Sequence, residues 1–207
     1  MTNDKIRVED VRREIKKEMP HLKFVIWDLT PFMGIFHYWR HNIIFVECEM
    51  LAVHELAGRL SERFGAEGVH FYLGKRKPKM ASELRMKESG SSIVVLGRWD
   101  FSETYENSDG FLTPTHEKMI TDLILFSLRE TLPIDLKDSL EILIHYLRKG
   151  EVDIPKLNRY ATRRYIGWFM NVVLYKLSSK ENLKIDIRHI KSGKRYLEAI
   201  NEVDSLE

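Results

Sequence analysis

The sequence predicts an α/β or α+β fold, with a small central sheet of about four strands, flanking helices and a helical C-terminal subdomain. Two observations predict it. Short apolar runs rich in β-branched and aromatic residues alternate with helical patterns as far as residue 97. Only helical patterns follow from residue 115 to residue 177. We therefore expect a sheet region over residues 1–112 and a helical region over residues 113–207, integrated in one domain.

The first half of the chain alternates the two kinds of pattern. Residues 7–19 form an amphipathic helical stretch that Pro20 ends, and residues 50–64 form a second one. Residues 30–39 begin with Thr-Pro and indicate a turn or short helix, whereas the polar, basic residues 75–91 indicate an exposed loop. The four predicted strands are residues 23–29, 42–48, 68–74 and 92–97. Period-2 placement predicts that one core contains Trp27, Phe45, Phe71 and Val95.

The second half of the chain shows apolar residues at helical spacing, separated by short polar connections. The predicted helices are residues 114–130, 136–148, 155–162 and 164–178. The tail, residues 192–207, indicates one last short helix. No internal repeat or low-complexity segment accompanies them.

Composition limits the class of protein. With 43% hydrophobic residues the chain can bury a core, and 33 basic against 31 acidic groups leave a net charge of only +2. Nucleic-acid binding would therefore depend on local patches. The single cysteine, Cys48, excludes an intramolecular disulfide and indicates a core residue in a reducing compartment. Without a signal peptide or an apolar run of about 20 residues, we expect a cytoplasmic protein without membrane contact.

Three charged residues lie close together in "FLTPTHEKMITDLI", namely Glu117, Lys118 and Asp122. Thr113 would cap this helix and Pro114 would take its first position. Glu117 would then face the positive end of the helix dipole, while Lys118 and Asp122, four residues apart, would pair at the surface. The apolar stripe on the other side consists of Met119, Ile120, Leu123 and Ser127. We therefore expect the three charges to lie on a solvated helix flank.

The sequence gives only weak signals for a catalytic site or a metal site. A nuclease or nucleotidyltransferase using Asp28, Glu47 and Glu117 is the alternative, but no lysine follows the strand acids and no phosphate-binding glycine motif is present. His37 and His41 are spaced for one helix face, as in zinc enzymes, but the adjacent glutamate is missing. We predict no catalytic residues, no metal and no cofactor.

Two basic clusters remain as candidate nucleic-acid contacts. The first cluster has six cationic groups, Lys75, Arg76, Lys77, Lys79, Arg85 and Lys87, and the second comprises Lys156, Arg159, Arg163 and Arg164. Tyr160 and Tyr165 interleave with the second cluster, and arginines beside aromatic rings suit phosphate and base contacts. The same region has helix-turn-helix spacing. However, its second helix is rich in apolar residues such as Trp168, which excludes it as a base reader.

Four segments together resemble a known family: "KFVIWDLTPFMGIF", "NIIFVECEMLAVHELAGRL", "LTPTHEKMITDLI" and "LNRYATRRY". Their order is similar to that in the effector, C-terminal domain of AbiEi-like antitoxins from type IV toxin–antitoxin and abortive-infection systems. The likeness runs from about residue 14 to residue 177. The matching positions are Trp27, Glu117, Lys118, Asp122, Tyr160, Arg163 and Arg164.

The resemblance implies a noncatalytic regulatory domain that opposes a nucleotidyltransferase-like toxin. Members of the family carry a DNA-binding winged helix ahead of this domain, and the residues before position 20 leave no room for one. The implied partners are therefore the toxin or another protein, with weak nucleic-acid binding as a further expectation.

Overall fold

The computed structural model describes residues 6–35, 41–65, 69–72 and 90–180. The chain divides into two compact units. The first includes the described residues up to Thr115 together with Phe126–Asp138, and the second includes His116–Leu125 and the residues from Ser139 onward. The α/β class predicted from the sequence is confirmed. Nowhere in the described ranges is a helix long and apolar enough to cross a bilayer.

The first unit is built on a mixed sheet of six strands with the order β3-β4-β2-β1-β6-β5. The strands are β1 (Phe24–Asp28), β2 (His41–Glu49), β3 (Val69–Tyr72), β4 (Gly90–Arg98), β5 (Thr104–Glu106) and β6 (Leu112–Pro114). β4 lies between β2 and β3 and is parallel to both, whereas β1 is antiparallel to β2. β6 pairs in parallel with β1 and antiparallel with β5.

Two of the six strands, β5 and β6, were not predicted. Each has three residues and no run of alternating apolar side chains, so the sequence carries no strand signal there. They form because β6 adds to the edge of β1, where Val25 is the register partner of Leu112. The predicted helix start at Thr113 and Pro114 is therefore wrong, because both residues belong to β6 and the helix begins at His116.

One face of the sheet carries a hydrophobic core of the first unit. Helices α1 (Val8–Glu18) and α2 (Val53–Phe64) cover it. The buried side chains come from both helices and from three strands: Val11, Ile15, Phe24, Ile26, Ile44, Val46, Cys48, Val53, Leu56, Ala57, Leu60, Ile93 and Val95. Each large aliphatic side chain buried here contributes about 1.5–3 kcal/mol.

Four α-helices follow the sheet in the chain: α3 (His116–Leu128), α4 (Leu136–Lys149), α5 (Ile154–Arg163) and α6 (Gly167–Lys180). These bounds agree with the predicted helices to within three residues. The boundary between the two units falls inside α3, because Leu125 belongs to the second unit and Phe126 to the first. The predicted tail helix lies outside the described residues.

The opposite face of the sheet holds a stack of aromatic rings. Trp27 on β1 and Phe45 on β2 are register partners with ring centroids 4.1 Å apart, and Phe45 stacks on Phe126 at 5.7 Å. The predicted sharing of a core by Trp27 and Phe45 is confirmed. The prediction that Val95 shares this core was wrong. Val95 pairs in register with Val46, the residue after Phe45, and successive strand residues face opposite sides of the sheet. The side chain of Phe71 lies outside the described part.

Candidate functional site

Four polar side chains form a buried cluster in the second unit. Asp122 Oδ2 accepts hydrogen bonds from Lys118 Nζ and from the Tyr160 hydroxyl, each at 3.1 Å. Asp122 Oδ1 accepts a third hydrogen bond from Arg164 Nε at 2.9 Å. Lys118 Nζ also donates to the Tyr160 hydroxyl oxygen at 2.8 Å. We call Lys118, Asp122, Tyr160 and Arg164 the buried cluster.

Helical spacing brings each half of the buried cluster together. Lys118 and Asp122 are four residues apart on α3, so their side chains lie on one face of that helix. Tyr160 and Arg164 are also four residues apart, at the end of α5 and directly after it. The cluster therefore ties α3 to the C-terminal end of α5 through one carboxylate.

The predicted solvated flank is wrong. Asp122 has no exposed surface, Lys118 is 2% exposed and Glu117 is 6% exposed. The pairing of Lys118 with Asp122 is confirmed, but it is a buried pair. The apolar stripe is buried as well, so every side chain of α3 from Glu117 to Ser127 is buried. Charged residues beside an apolar stripe usually face solvent. Here they are buried because α5 packs over them.

Glu117 supports the start of α5. Its Oε1 accepts a hydrogen bond from the backbone N–H of Asp153 at 2.7 Å. Asp153 is the N-cap of α5, and its own Oδ1 accepts from the backbone N–H of Lys156 at 2.9 Å. Together Glu117 and the buried cluster hold α5 at both ends. These acids therefore serve to position a helix.

The segment that follows Asp153 carries no acid. Residues 154–180 contain six cationic residues and no Asp or Glu, so they concentrate positive charge that the net charge of +2 conceals. Lys156, Arg159 and Arg163 are exposed and lie at i, i+3 and i+7 on α5, which places them on one helix face. Phosphate groups bind to such a stripe of cations.

The turn after α5 adds two exposed aromatic side chains. Tyr165 is 84% exposed, and Trp168, in the first turn of α6, is 51% exposed. Trp168 contacts the edge of Phe169 with ring centroids 5.8 Å apart. We call Lys156, Arg159, Arg163, Tyr165 and Trp168 the α5–α6 surface.

The structure separates the residues predicted to contact nucleic acid. Arg159 and Arg163 are exposed, whereas Arg164 is largely buried and paired with Asp122. The first basic cluster, from Lys75 to Lys87, lies outside the described residues. The exposure of Trp168 was missed, since an apolar helix predicts burial. The spacing of Lys156 with the two arginines was a signal already visible in the sequence.

In the first unit, Glu47 is a buried acid with both oxygens bonded. Oε1 accepts a hydrogen bond from Trp27 Nε1 at 3.0 Å, and Oε2 accepts from Arg98 Nε at 2.7 Å. Glu47 has no exposed surface, and Arg98 is also buried. A buried carboxylate requires such partners, because an unpaired charge away from water is very costly. Glu47 therefore joins three neighbouring strands.

The three acids of the enzyme alternative are each engaged in local structure. Asp28 accepts hydrogen bonds from the backbone N–H and hydroxyl of Thr30 and from Asn42 Nδ2, at 2.7–3.1 Å. Asp28 pairs in register with Ile44, and Glu47 lies three residues further along that strand. Because strand residues alternate, Asp28 and Glu47 face opposite sides of the sheet. Glu117, bonded to Asp153, belongs to the second unit.

Neither a metal site nor a reactive thiol is found among the residues that the structure describes. No group of three or more His, Cys, Asp or Glu side chains is arranged to hold a metal ion among the described residues. His37 and the side chain of His41 lie outside them. Cys48 is a buried, free thiol, as predicted. Burial, with smaller effects of Glu49 and Glu47, raises the pKa of Cys48 to about 12.

The fold and the buried cluster define a mixed α/β domain whose second unit exposes a basic, aromatic helix turn. The chain matches a family of unknown function, DUF6577, over residues 3–180, and it belongs to that family. No curated protein and no solved structure matches the chain.

Proposed function

We propose that the chain is a noncatalytic, cytoplasmic regulatory domain similar to the effector domain of AbiEi-like antitoxins. It acts by binding, through the α5–α6 surface, to nucleic acid, and it opposes a nucleotidyltransferase-like toxin. The positions that carry the resemblance to AbiEi-like antitoxins include Lys118, Asp122, Tyr160 and Arg164. These four are the residues of the buried cluster.

One observation carries the binding part of this proposal. The α5–α6 surface exposes three cations on one helix face within a segment of 27 residues that contains no acid. Acids elsewhere in the chain balance the total charge, but none lies within residues 154–180. A local field of this kind attracts a polyanion and makes the affinity strongly dependent on salt.

The buried cluster supports the proposal by explaining how the surface is held. Asp122 binds Arg164 and Tyr160, and Glu117 binds the backbone at Asp153, so both ends of α5 are attached to α3. A helix fixed at both ends presents its exposed cations in a constant geometry, which lowers the entropy lost on binding.

The assignment as noncatalytic is supported by the bonding of the acids. Asp28, Glu47, Glu117 and Asp122 each accept hydrogen bonds from protein groups within their own unit. Acids that act on a substrate need oxygens directed at it. The three acids of the enzyme alternative, Asp28, Glu47 and Glu117, thus serve a turn, neighbouring strands and a helix end.

The binding proposal is tested by fluorescence anisotropy with labelled DNA and RNA of about 12 nucleotides. We expect binding at about 50 mM salt that weakens steeply toward about 200 mM. Arg159→Ala/Arg163→Ala should reduce the slope of log affinity against log salt by about 1–2. The matched control is Arg129→Ala/Lys149→Ala, which removes the same charge from two exposed positions. Equal loss in both variants, or no binding at low salt, would contradict the proposal.

The antitoxin assignment needs a second, cellular test. The genes beside the one that encodes this chain are searched for a nucleotidyltransferase-like protein, which is then expressed with and without the chain while growth is measured. We expect co-expression of the chain to restore growth. Unchanged toxicity, with the chain shown to be folded and present, would remove the antitoxin assignment.

A further inference from the structure

The turn between α5 and α6 places a tyrosine in a backbone conformation that favours glycine. Tyr165 has φ +63°, in the left-handed region. Its backbone N–H donates to the carbonyl of Thr162 at 3.0 Å, and the N–H of Ile166 donates to the carbonyl of Ala161 at 2.9 Å. This bonding pattern ends many helices, and glycine usually occupies the left-handed position because it has no Cβ.

The strain at Tyr165 is not offset by packing of its own side chain, which is 84% exposed. A buried aromatic residue would stabilise the fold by leaving water, but this ring remains in solvent. Stability alone would therefore favour glycine here. A large exposed ring kept in a strained conformation indicates that the ring has a binding role.

The surroundings of Tyr165 indicate what the ring binds. Trp168, three residues further along, exposes half of its surface, and Arg159 and Arg163 are exposed on the preceding helix. Aromatic rings beside arginines are the combination with which proteins bind unpaired bases: the rings stack on the bases and the arginines bind the phosphates. In a duplex the bases are already stacked on each other, so the rings would find no partner.

The backbone of the turn is also tightly packed, so the two residues that carry the rings have fixed backbone positions before binding. A Cβ at Gly167 would lie 2.5 Å from Thr162 Oγ1 and 3.0 Å from the backbone Cα of Thr162. The first residue of α6 therefore packs directly against the last turn of α5. Because its backbone is already closely packed, the turn loses little backbone conformational freedom when a ligand binds.

We infer that the α5–α6 surface binds single-stranded nucleic acid, with unpaired bases stacked on Tyr165 and Trp168. The inference rests on the proposed function, because it names the class of nucleic acid that the same surface takes. It requires more than positive charge, since a purely electrostatic surface would bind the duplex, with its higher charge density, at least as tightly as the single strand.

The test uses the full chain and a fluorescein-labelled pyrimidine single strand of about 12 nucleotides, compared with the duplex of the same sequence. We expect tighter binding to the single strand. Tyr165→Gly should weaken that binding about tenfold and raise the Tm by about 2–4 °C, because it removes the ring and relieves the backbone. Tyr165→Phe keeps the ring and the strain, so it should match the wild type in both measurements.

The outcomes separate this inference from the proposed function. Equal affinity for duplex and single strand, with Tyr165→Gly binding as the wild type does, overturns base stacking and leaves the electrostatic surface intact. Absence of all binding overturns both. Trp168→Leu provides an independent check: we expect weaker single-strand binding, and unchanged binding by this variant counts against the second stacking position.

Discussion

Asp122 is the residue whose replacement should affect the second unit most. The variant Asp122→Asn keeps the size of the side chain but removes the negative charge that Lys118 and Arg164 share. Lys118 is 2% exposed, so its ammonium group cannot regain water when the carboxylate is lost. The hydrogen bond from Lys118 Nζ to the Tyr160 hydroxyl would remain in the cluster, but that hydroxyl carries no charge.

Breaking a buried ion pair from one side costs about 3–5 kcal/mol, because it leaves an uncompensated charge away from water. Arg164 retains some access to solvent, with 22% of its side chain exposed, so we assign most of the cost to Lys118. For a chain of this size each kcal/mol corresponds to about 2–4 °C in Tm. We therefore expect the Tm of Asp122→Asn to fall by roughly 6–20 °C.

The measurement is thermal unfolding followed by circular dichroism, together with urea unfolding of the same protein. Asp109→Asn, at an exposed position, is the matched control and should leave the Tm nearly unchanged. The double variant Lys118→Met/Asp122→Asn should regain part of the stability lost in Asp122→Asn, since it removes both buried charges at similar volume. A loss below about 1 kcal/mol in Asp122→Asn would refute the reasoning, because it would show that the cluster is hydrated or unimportant.

Three further predictions concern the core and the α5–α6 turn. Trp27→Ala should destabilise the chain by about 3–5 kcal/mol in urea unfolding, because it removes a buried ring and the donor to Glu47; an unchanged midpoint would contradict this. The pKa of Cys48 is raised to about 12, so above pH 9 the unfolded chain loses the thiol proton first. Stability should then fall by up to about 1.4 kcal/mol per pH unit, a slope that Cys48→Ala flattens. Gly167→Ala should cost about 1–3 kcal/mol, because its Cβ would meet Thr162, and a wild-type Tm would show that the turn can move.

Much of the fold could be predicted from the sequence because its signals are local. The apolar runs around Trp27 and Phe45 and the amphipathic stretch of α1 specify their own secondary structure through side-chain period. The two short strands could not be predicted in this way. Leu112 becomes a strand residue only because β1 offers it an edge to pair with.

The face of the sheet to which each strand side chain points could not be predicted from the local sequence either. Val95 and Phe45 both lie in apolar strands, and either face of each strand would accept an apolar residue. Register decides which face each side chain takes, and a shift by one residue reverses it. Pairing Val95 with Val46 therefore moved it to the face that α1 and α2 cover.

In the candidate site, too, some properties follow from the sequence and others only from the tertiary structure. The sequence by itself determined the acid-free segment of residues 154–180 and the helical spacing of its cations, since both are properties of residue order. Only the tertiary structure decided that Lys118 and Asp122 are buried, that Arg164 turns inward and that Tyr165 stays exposed with a left-handed backbone. A charged side chain carries no local mark of burial, because its desolvation depends on whichever distant helix covers it and supplies its partners.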